Sequence, residues 1–483
     1  MFKRTFQFLL FAVICLSIYL VFNTLRTKNL QIEAAQVLPL QVTDAAVARL
    51  AKAVQCPTNS SPLAVDTTAF IALHRLIDSS FGLCNTKMER KIVNQFSLLY
   101  KWSGSDTSLA PIVLLAHLDV VPVEGVAVKK WSHAPYGGEQ ANGMLWGRGT
   151  LDDKMSAFGL LEAAEMLLQK DFQPKRTVYF AFGHDEEVGG ANGAKAMAAA
   201  LAAAGVHAEM VLDEGMVVLD NALPGLAEKP LGLIGIAEKG YATLELKVLA
   251  KGGHSSMPPA ETAIGTLSQA IVNIEKHPMA ARFSLPVNEL LDYAGPEMSL
   301  PFNIVMTNRW LFAPLLMQQF AQKPSSAALL RTTIAPTILQ AGVKDNVLPT
   351  EAIAHINYRI LPGETSADVL QHAKTAVNDS RVQIKMVAEP TEPSPVSDTK
   401  TPSFEGLAKL IRGYFPKSVV APALVIGGTD SKYYSSITKN IYRFSPIELA
   451  NSDLGRIHGV DECISIENYK RCIRFYYGLL SAN

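Results

Sequence analysis

Residues Gly147–Lys154 read GRGTLDDK, a glycine-bracketed turn that delivers two adjacent carboxylates, Asp152 and Asp153, directly ahead of an amphipathic helix. A carboxylate at the mouth of such a turn can bridge two metal ions. The plainer reading is an acidic pair that caps the helix and complements its dipole. Asp153 can fill that role while Asp152 binds metal. His117-x-Asp119 places two side chains on the same side of an extended backbone. A metal-binding imidazole usually donates its other N–H to a carboxylate, which Asp119 can supply. Glu186 and Glu187 are neighbours at a strand end and point apart. One can hold metal while the other faces the substrate side and takes a proton from water, because zinc makes such water acidic near neutrality. Asp213 and His458 complete the set. Two zinc ions of low coordination number need one bridging and four terminal ligands: Asp152 bridges, and His117, Glu187, Asp213 and His458 are terminal. Each feature alone reads more simply as a solvated loop histidine or a surface acidic pair. Their joint appearance at successive strand ends supports the metal reading.

Two further groups stand apart. His254, in GGHSS, can stabilise the oxyanion of a tetrahedral intermediate. Arg359, in YRILPG, can hold a carboxylate through a forked pair of hydrogen bonds. A structural loop histidine and a surface arginine are the plain alternatives.

The elements that must position these groups follow from patterning. PIVLLAH (111–117) and TVYFAFG (177–183) are near-continuous apolar runs, as expected of strands buried on both faces. Helical spacing predicts a helix after each, and a short strand then ends at Asp213. This order predicts an α/β fold with a mostly parallel sheet and helices on both faces. Ligands in such sheets bind beyond the carboxyl ends of the strands, where these candidates sit. From Tyr241 the order becomes strand–helix–strand–strand–helix–strand, an inserted α+β domain. Residues 283–326 are poorly patterned and read as loops and short helices. The expected division is an anchor over 1–28, a stalk over 29–43, a catalytic domain in two parts (44–241 and 389–483), and the insert over 242–388.

The chain has 483 residues, 48% of them hydrophobic, with 44 basic and 44 acidic side chains. Zero formal charge argues against a nucleic-acid surface. The uncharged run Phe8–Phe22 and its flanks are long enough to cross roughly 30 Å of hydrocarbon. Lys3 and Arg4 ahead of it favour a cytoplasmic amino end. No small-x-small site follows, so an uncleaved transmembrane signal anchor is expected over a cleaved signal peptide, with the body outside the cytoplasm. Cys56, Cys84, Cys463 and Cys472 show no CxxC spacing. A Cys56–Cys84 disulfide and free thiols are both open.

LLAHLDVVP, WGRGTLDDK, GHDEEVGG, LDEG, KGGHSSMPP, NYRILPG and GGTDSKYY, with IHGVDE near the end, together resemble the co-catalytic dizinc metallopeptidase family of carboxypeptidase S, aminoacylase-1, carnosine dipeptidase and acetylornithine deacetylase. The nearest likeness is to carboxypeptidase S and the N-fatty-acyl-amino-acid synthase/hydrolases, and it spans about residues 45–480. The resemblance implies that His117 and Asp213 bind one zinc, Glu187 and His458 the other, and Asp152 both. Asp119 would orient His117, and Glu186 would be general base and then acid. It also implies a cis Asp152–Asp153 peptide, a lid role for the insert, and substrate contacts from His254, Asn303, Arg359, Gly428 and Thr429.

The expected function is zinc-dependent hydrolysis of the amide bond to an amino acid with a free carboxylate. The substrate is a peptide or an N-acyl amino acid. A membrane-anchored binding protein on the same fold is the non-enzyme alternative. A long lid favours a monomer.

Overall fold

The computed structural model describes residues 2–483 apart from 38, 62–63 and 227–228, with backbone alone at 64–65. Strand Ile112–His117 is buried along its whole length. Ile112, Leu114 and Ala116 enter one hydrophobic core with Phe158, Leu161 and Phe180, while Val113 and Leu115 enter a second with Met197, Ala198 and Leu201. That double burial is why the run reads as continuously apolar. Each large apolar side chain so removed from water contributes roughly 1.5–3 kcal/mol. Helix Lys154–Leu168 covers the first face and helix Ala194–Ala203 the second. Between them they make the crossovers that parallel neighbours require.

The large sheet has ten strands. Four adjacent ones, Ile441–Arg443, Met210–Asp213, Ile112–His117 and Val178–Gly183, run parallel. Ser97–Trp102 and Glu89–Val93 extend that side antiparallel, and Leu231–Glu238 joins the other side antiparallel. The sheet is therefore mixed, and the expected parallel character holds mainly at its centre. Glu89–Val93 and Ser97–Trp102 are joined by a short turn, which permits only an antiparallel pair.

A second, four-stranded sheet is antiparallel throughout, in the order Thr333–Ala341, Glu351–Ile360, Gly240–Leu249, Val382–Met386. Ala242, Leu244, Leu246 and Val248 alternate into its core with Ala354, Ile356 and Tyr358. Helices Ala263–Lys276 and Ser366–Val377 cover that face. One residue, Lys239, separates the large sheet's Leu231–Glu238 from this sheet's Gly240–Leu249. Its ammonium is held by the carbonyls of Ala328 and Arg331 at 2.9 and 2.8 Å. The return is bonded beside it: Tyr241 and Thr391 exchange backbone hydrogen bonds, and the Ser394 N–H donates to the Glu238 carbonyl.

Residues 285–330 form four helices, Leu285–Ala294, Phe302–Thr307, Arg309–Phe320 and Pro324–Leu330. Val287, Leu291 and Met306 pack with Val419 and Ala421 of the large sheet, not with the four-stranded one. The helix Phe2–Arg26 is exposed along its apolar window and is long and apolar enough to cross a membrane. In place of a free stalk, the segment after it lies on the body. Gln31 donates to the Val420 and Tyr293 carbonyls, and Ala35 N–H donates to Lys409. All five cysteines are free thiols, so the Cys56–Cys84 pairing does not form.

Candidate metal centre

His117 ends its strand with Nδ1 3.4 Å from the Asp119 carboxylate and Nε2 2.7 Å from Asp152 Oδ1. Asp152 Oδ2 lies 2.9 Å from His458 Nε2, which lies 3.1 Å from Glu187 Oε2. The donor atoms fall into two trios, His117–Asp152–Glu214 and Asp152–Glu187–His458, each with all its atoms within 4.8 Å of one another. Asp152 belongs to both.

The backbone is built for this placement. The Asp152–Asp153 peptide is cis, as the resemblance implied. Gly149 has φ +88°, and a Cβ there would meet Val120 at 2.8 Å, so no other residue fits without strain. The turn closes around Glu462, which sequence reasoning missed. Its carboxylate accepts from the N–H groups of Gly149 at 2.9 Å and Leu151 at 2.8 Å, and from Arg148 Nη1 at 2.5 Å. Burial pushes this carboxyl up to about 7, against the pull of Arg148. Glu462 follows His458 by four residues in IHGVDE, which was its only sequence signal. Asp119 acts twice, backing His117 and accepting from the N–H groups of Glu186 and Glu187 at 3.2 and 3.1 Å. Asp153 starts helix Lys154–Leu168 without a side-chain capping bond. Both its carboxyl oxygens are buried and unpartnered, so the capping reading is not borne out.

At the Asp213 position a second carboxylate competes. The Asp213 carboxylate accepts from Ser431 N–H at 2.8 Å and Glu214 N–H at 2.9 Å, while the donor trio with His117 and Asp152 is completed by Glu214. Successive side chains at a strand end face opposite ways, so one residue of register decides which enters the site.

Carboxyl and imidazole donors in two trios suit divalent zinc-like ions. The field suits a cation too. Hydrogen bonds and charge from Asp152 and Glu187 push His458 up to about 10. Burial, then the charges of Asp152 and Asp153, push Glu214 well above the ordinary carboxylate range. Burial, with Asp430, Asp152 and Glu187, does the same to Glu186. A buried cluster of this sign is costly without positive charge among it.

The remaining candidates lie apart from the trios. His254 is exposed in a short antiparallel pair with Val347, and its Nδ1 accepts from Ser256 N–H. Asn303 lies on helix Phe302–Thr307, which packs against the N-terminal helix and the turn at Gly295–Glu297. No described contact joins either residue to the cluster. Arg359 stands opposite Tyr241 in the four-stranded sheet, its guanidinium 4.8 Å from the Tyr241 ring centre, and makes no ion pair among the described residues. Thr429 donates through N–H and Oγ to Glu238 Oε1 at 3.0 and 2.6 Å, so its side chain is committed, whereas Gly428 beside it is exposed.

The sequence pattern of the peptidase family M20/M25/M40 matches residues 113–482. The chain is 43% identical over 413 residues to the probable carboxypeptidase S-like 2 of Dictyostelium discoideum, covering 85% of this chain and 79% of that one. It is 37% identical over 460 residues to the N-fatty-acyl-amino acid synthase/hydrolase PM20D1 of Xenopus tropicalis, covering 94% and 88%. The fold superimposes on the M20 family metallo-carboxypeptidase Sso-CP2 of Sulfolobus solfataricus with a TM-score of 0.67 at 16% identity, over 91% of this chain and 99% of that one.

Proposed function

The chain belongs to peptidase family M20/M25/M40 and is an enzyme of metallopeptidase type, and within that family we propose that it hydrolyses the amide bond to an amino acid bearing a free carboxylate. The observation that carries this is the pair of donor trios sharing Asp152, with the Glu186 backbone N–H fixed by Asp119, the residue that backs His117. We assign one zinc ion to His117, Asp152 and Glu214 and a second to Asp152, Glu187 and His458. Such ions supply Lewis acidity and bring water's pKa near neutrality. Asp119 fixes the His117 tautomer and the position of the Glu186–Glu187 backbone. Glu186 takes a proton from the attacking water and returns it to the leaving amine. Arg359, which makes no ion pair among the described residues, grips the substrate carboxylate, and the exposed backbone at Gly428 lines the approach. His254 stabilises the oxyanion when the four-stranded unit closes over the centre as a lid, and Asn303, on a helix packed beside the large sheet, contributes to carboxylate binding.

Two substrate classes share this chemistry: peptides with a free carboxyl end, and N-acyl amino acids. The carboxypeptidase S-like and N-fatty-acyl-amino acid relatives support one each. The N-terminal helix acts as a single-pass anchor with the body outside the cytoplasm. Release of free amino acid from the two panels, with zinc, with chelator, and with Glu186→Gln, tests the reading. Zinc-dependent release lost in the variant is expected, and the preferred panel identifies the class. No release from either panel with metal bound would leave a metal-dependent binding protein.

A further inference from the structure

The twelve-residue helix Arg309–Phe320, RWLFAPLLMQQF, buries only Leu316. Trp310 is 61% exposed and Leu315 48%, and Leu300 just before the helical pair is 70% exposed. An apolar patch of this kind does not belong in water; it marks a contact with a partner or with lipid. The structure shows what lies next to it. The last turns of the candidate anchor helix are bonded to this segment. Tyr19 meets Trp310 edge to face at 6.0 Å. Asn23 Nδ2 donates to Asn308 Oδ1 at 2.9 Å, the hydroxyls of Thr24 and Thr307 lie 2.8 Å apart, and Asn308 Nδ2 donates to the Leu20 carbonyl at 3.2 Å. Asn308 is fully buried by this junction.

We propose that Leu300, Trp310, Leu311 and Leu315 form a membrane-docking surface that lies in the headgroup layer of the same phospholipid bilayer that helix Phe2–Arg26 crosses. The proposal rests on reading that helix as an anchor, and it is independent of the hydrolase assignment. The junction sets the depth. Tyrosine and tryptophan concentrate where hydrocarbon meets headgroups, and Tyr19 and Trp310 sit together near the end of the apolar run. Arg26 and Lys28 follow on the polar side. Because Thr307 and Asn308, immediately ahead of the exposed helix, bond across the junction and Trp310 within it meets Tyr19, that helix is held at this level rather than free to leave it. The body therefore rests on the bilayer, in the layer where long-chain N-acyl amino acids partition.

The full chain, reconstituted in phosphatidylcholine vesicles with bromines at shallow acyl positions, tests this through tryptophan emission. Resistance to alkaline carbonate extraction, with quenching that falls by at least half in Trp310→Phe, is expected. Leu315→Asp, which leaves all four tryptophans in place, should reduce the same quenching severalfold. Carbonate-resistant protein whose quenching is unchanged in both variants would overturn the docking surface and leave the anchor standing, as would Trp310 shielded by a second copy of the chain. Protein extracted by carbonate would overturn the anchor reading, and the docking surface with it.

Discussion

The two sheets treat their candidate residues differently. On the large sheet, side chains named from widely separated stretches converge within hydrogen-bonding distance at the ends of parallel strands. Within the chain segment that holds the four-stranded sheet, His254 in a small two-stranded pair, Asn303 on a short helix and Arg359 in the sheet itself have no described contact with that cluster. A ligand at a strand end is placed by the same burial that makes the strand, so its position follows from local patterning. A residue that meets the substrate by approach of a second unit is placed by an arrangement of units, which no local pattern encodes.

The largest effect expected is at the strand end where one residue of register decides the ligand. Glu214→Ala should lose one of two bound metal ions, with activity falling by about three orders of magnitude, while Asp213→Asn keeps both ions. Metal content by plasma emission spectrometry decides this, and the reverse pattern would restore Asp213 as the ligand. Next comes Glu462→Gln, which leaves Arg148 buried without its partner and slackens the turn that carries Asp152. We expect destabilisation on the order of 3 kcal/mol by urea titration and metal affinity lower by about 10- to 100-fold. Arg359→Ala tests the other region: KM should rise by about one to two orders of magnitude with little change in kcat and unchanged metal content. A fall in metal content would mean that the second sheet shapes the centre itself.

The smallest effect lies at the link between the sheets. Burial holds the Lys239 ammonium down at about 8, from an ordinary 10.5. Between these values the unfolded chain binds more protons than the folded one, so stability rises with pH across that interval. Unfolding free energies from denaturant titration at pH 8 and pH 10 should differ by on the order of 1–2 kcal/mol from this group. Lys239→Met should remove that increment.

Much of the centre was legible because its motifs sit where apolar runs stop: His117 after PIVLLAH, Glu186 and Glu187 after TVYFAFG. Glu214 was passed over because Asp213 is equally acidic and one residue nearer the strand. Which of the two faces the site depends on the Ser431 N–H and the Glu238–Arg443 pair, brought in from more than two hundred residues downstream in the case of Ser431 and Arg443. Glu462 carries no pattern of its own, since its role is to accept N–H groups of a turn distant in sequence. The segment 283–326 was legible only as loops and short helices, without boundaries, for a related reason. Its apolar positions serve the large sheet on one side and remain exposed on another, so no single amphipathic period survives.

The single-residue link at Lys239 also bears on the order of assembly. Strand Leu231–Glu238 pairs with Val419–Val425, almost two hundred residues away, and the whole four-stranded sheet lies between them in the chain. The four-stranded sheet draws its strands and both its helices from one contiguous stretch, so its contacts close shorter loops. Loop-closure entropy makes distant pairings slow to form. The second sheet can therefore be complete while Leu231–Glu238 still waits for its partner. During synthesis that strand, buried on both faces in the finished protein, stands as an open edge until the last quarter of the chain has emerged.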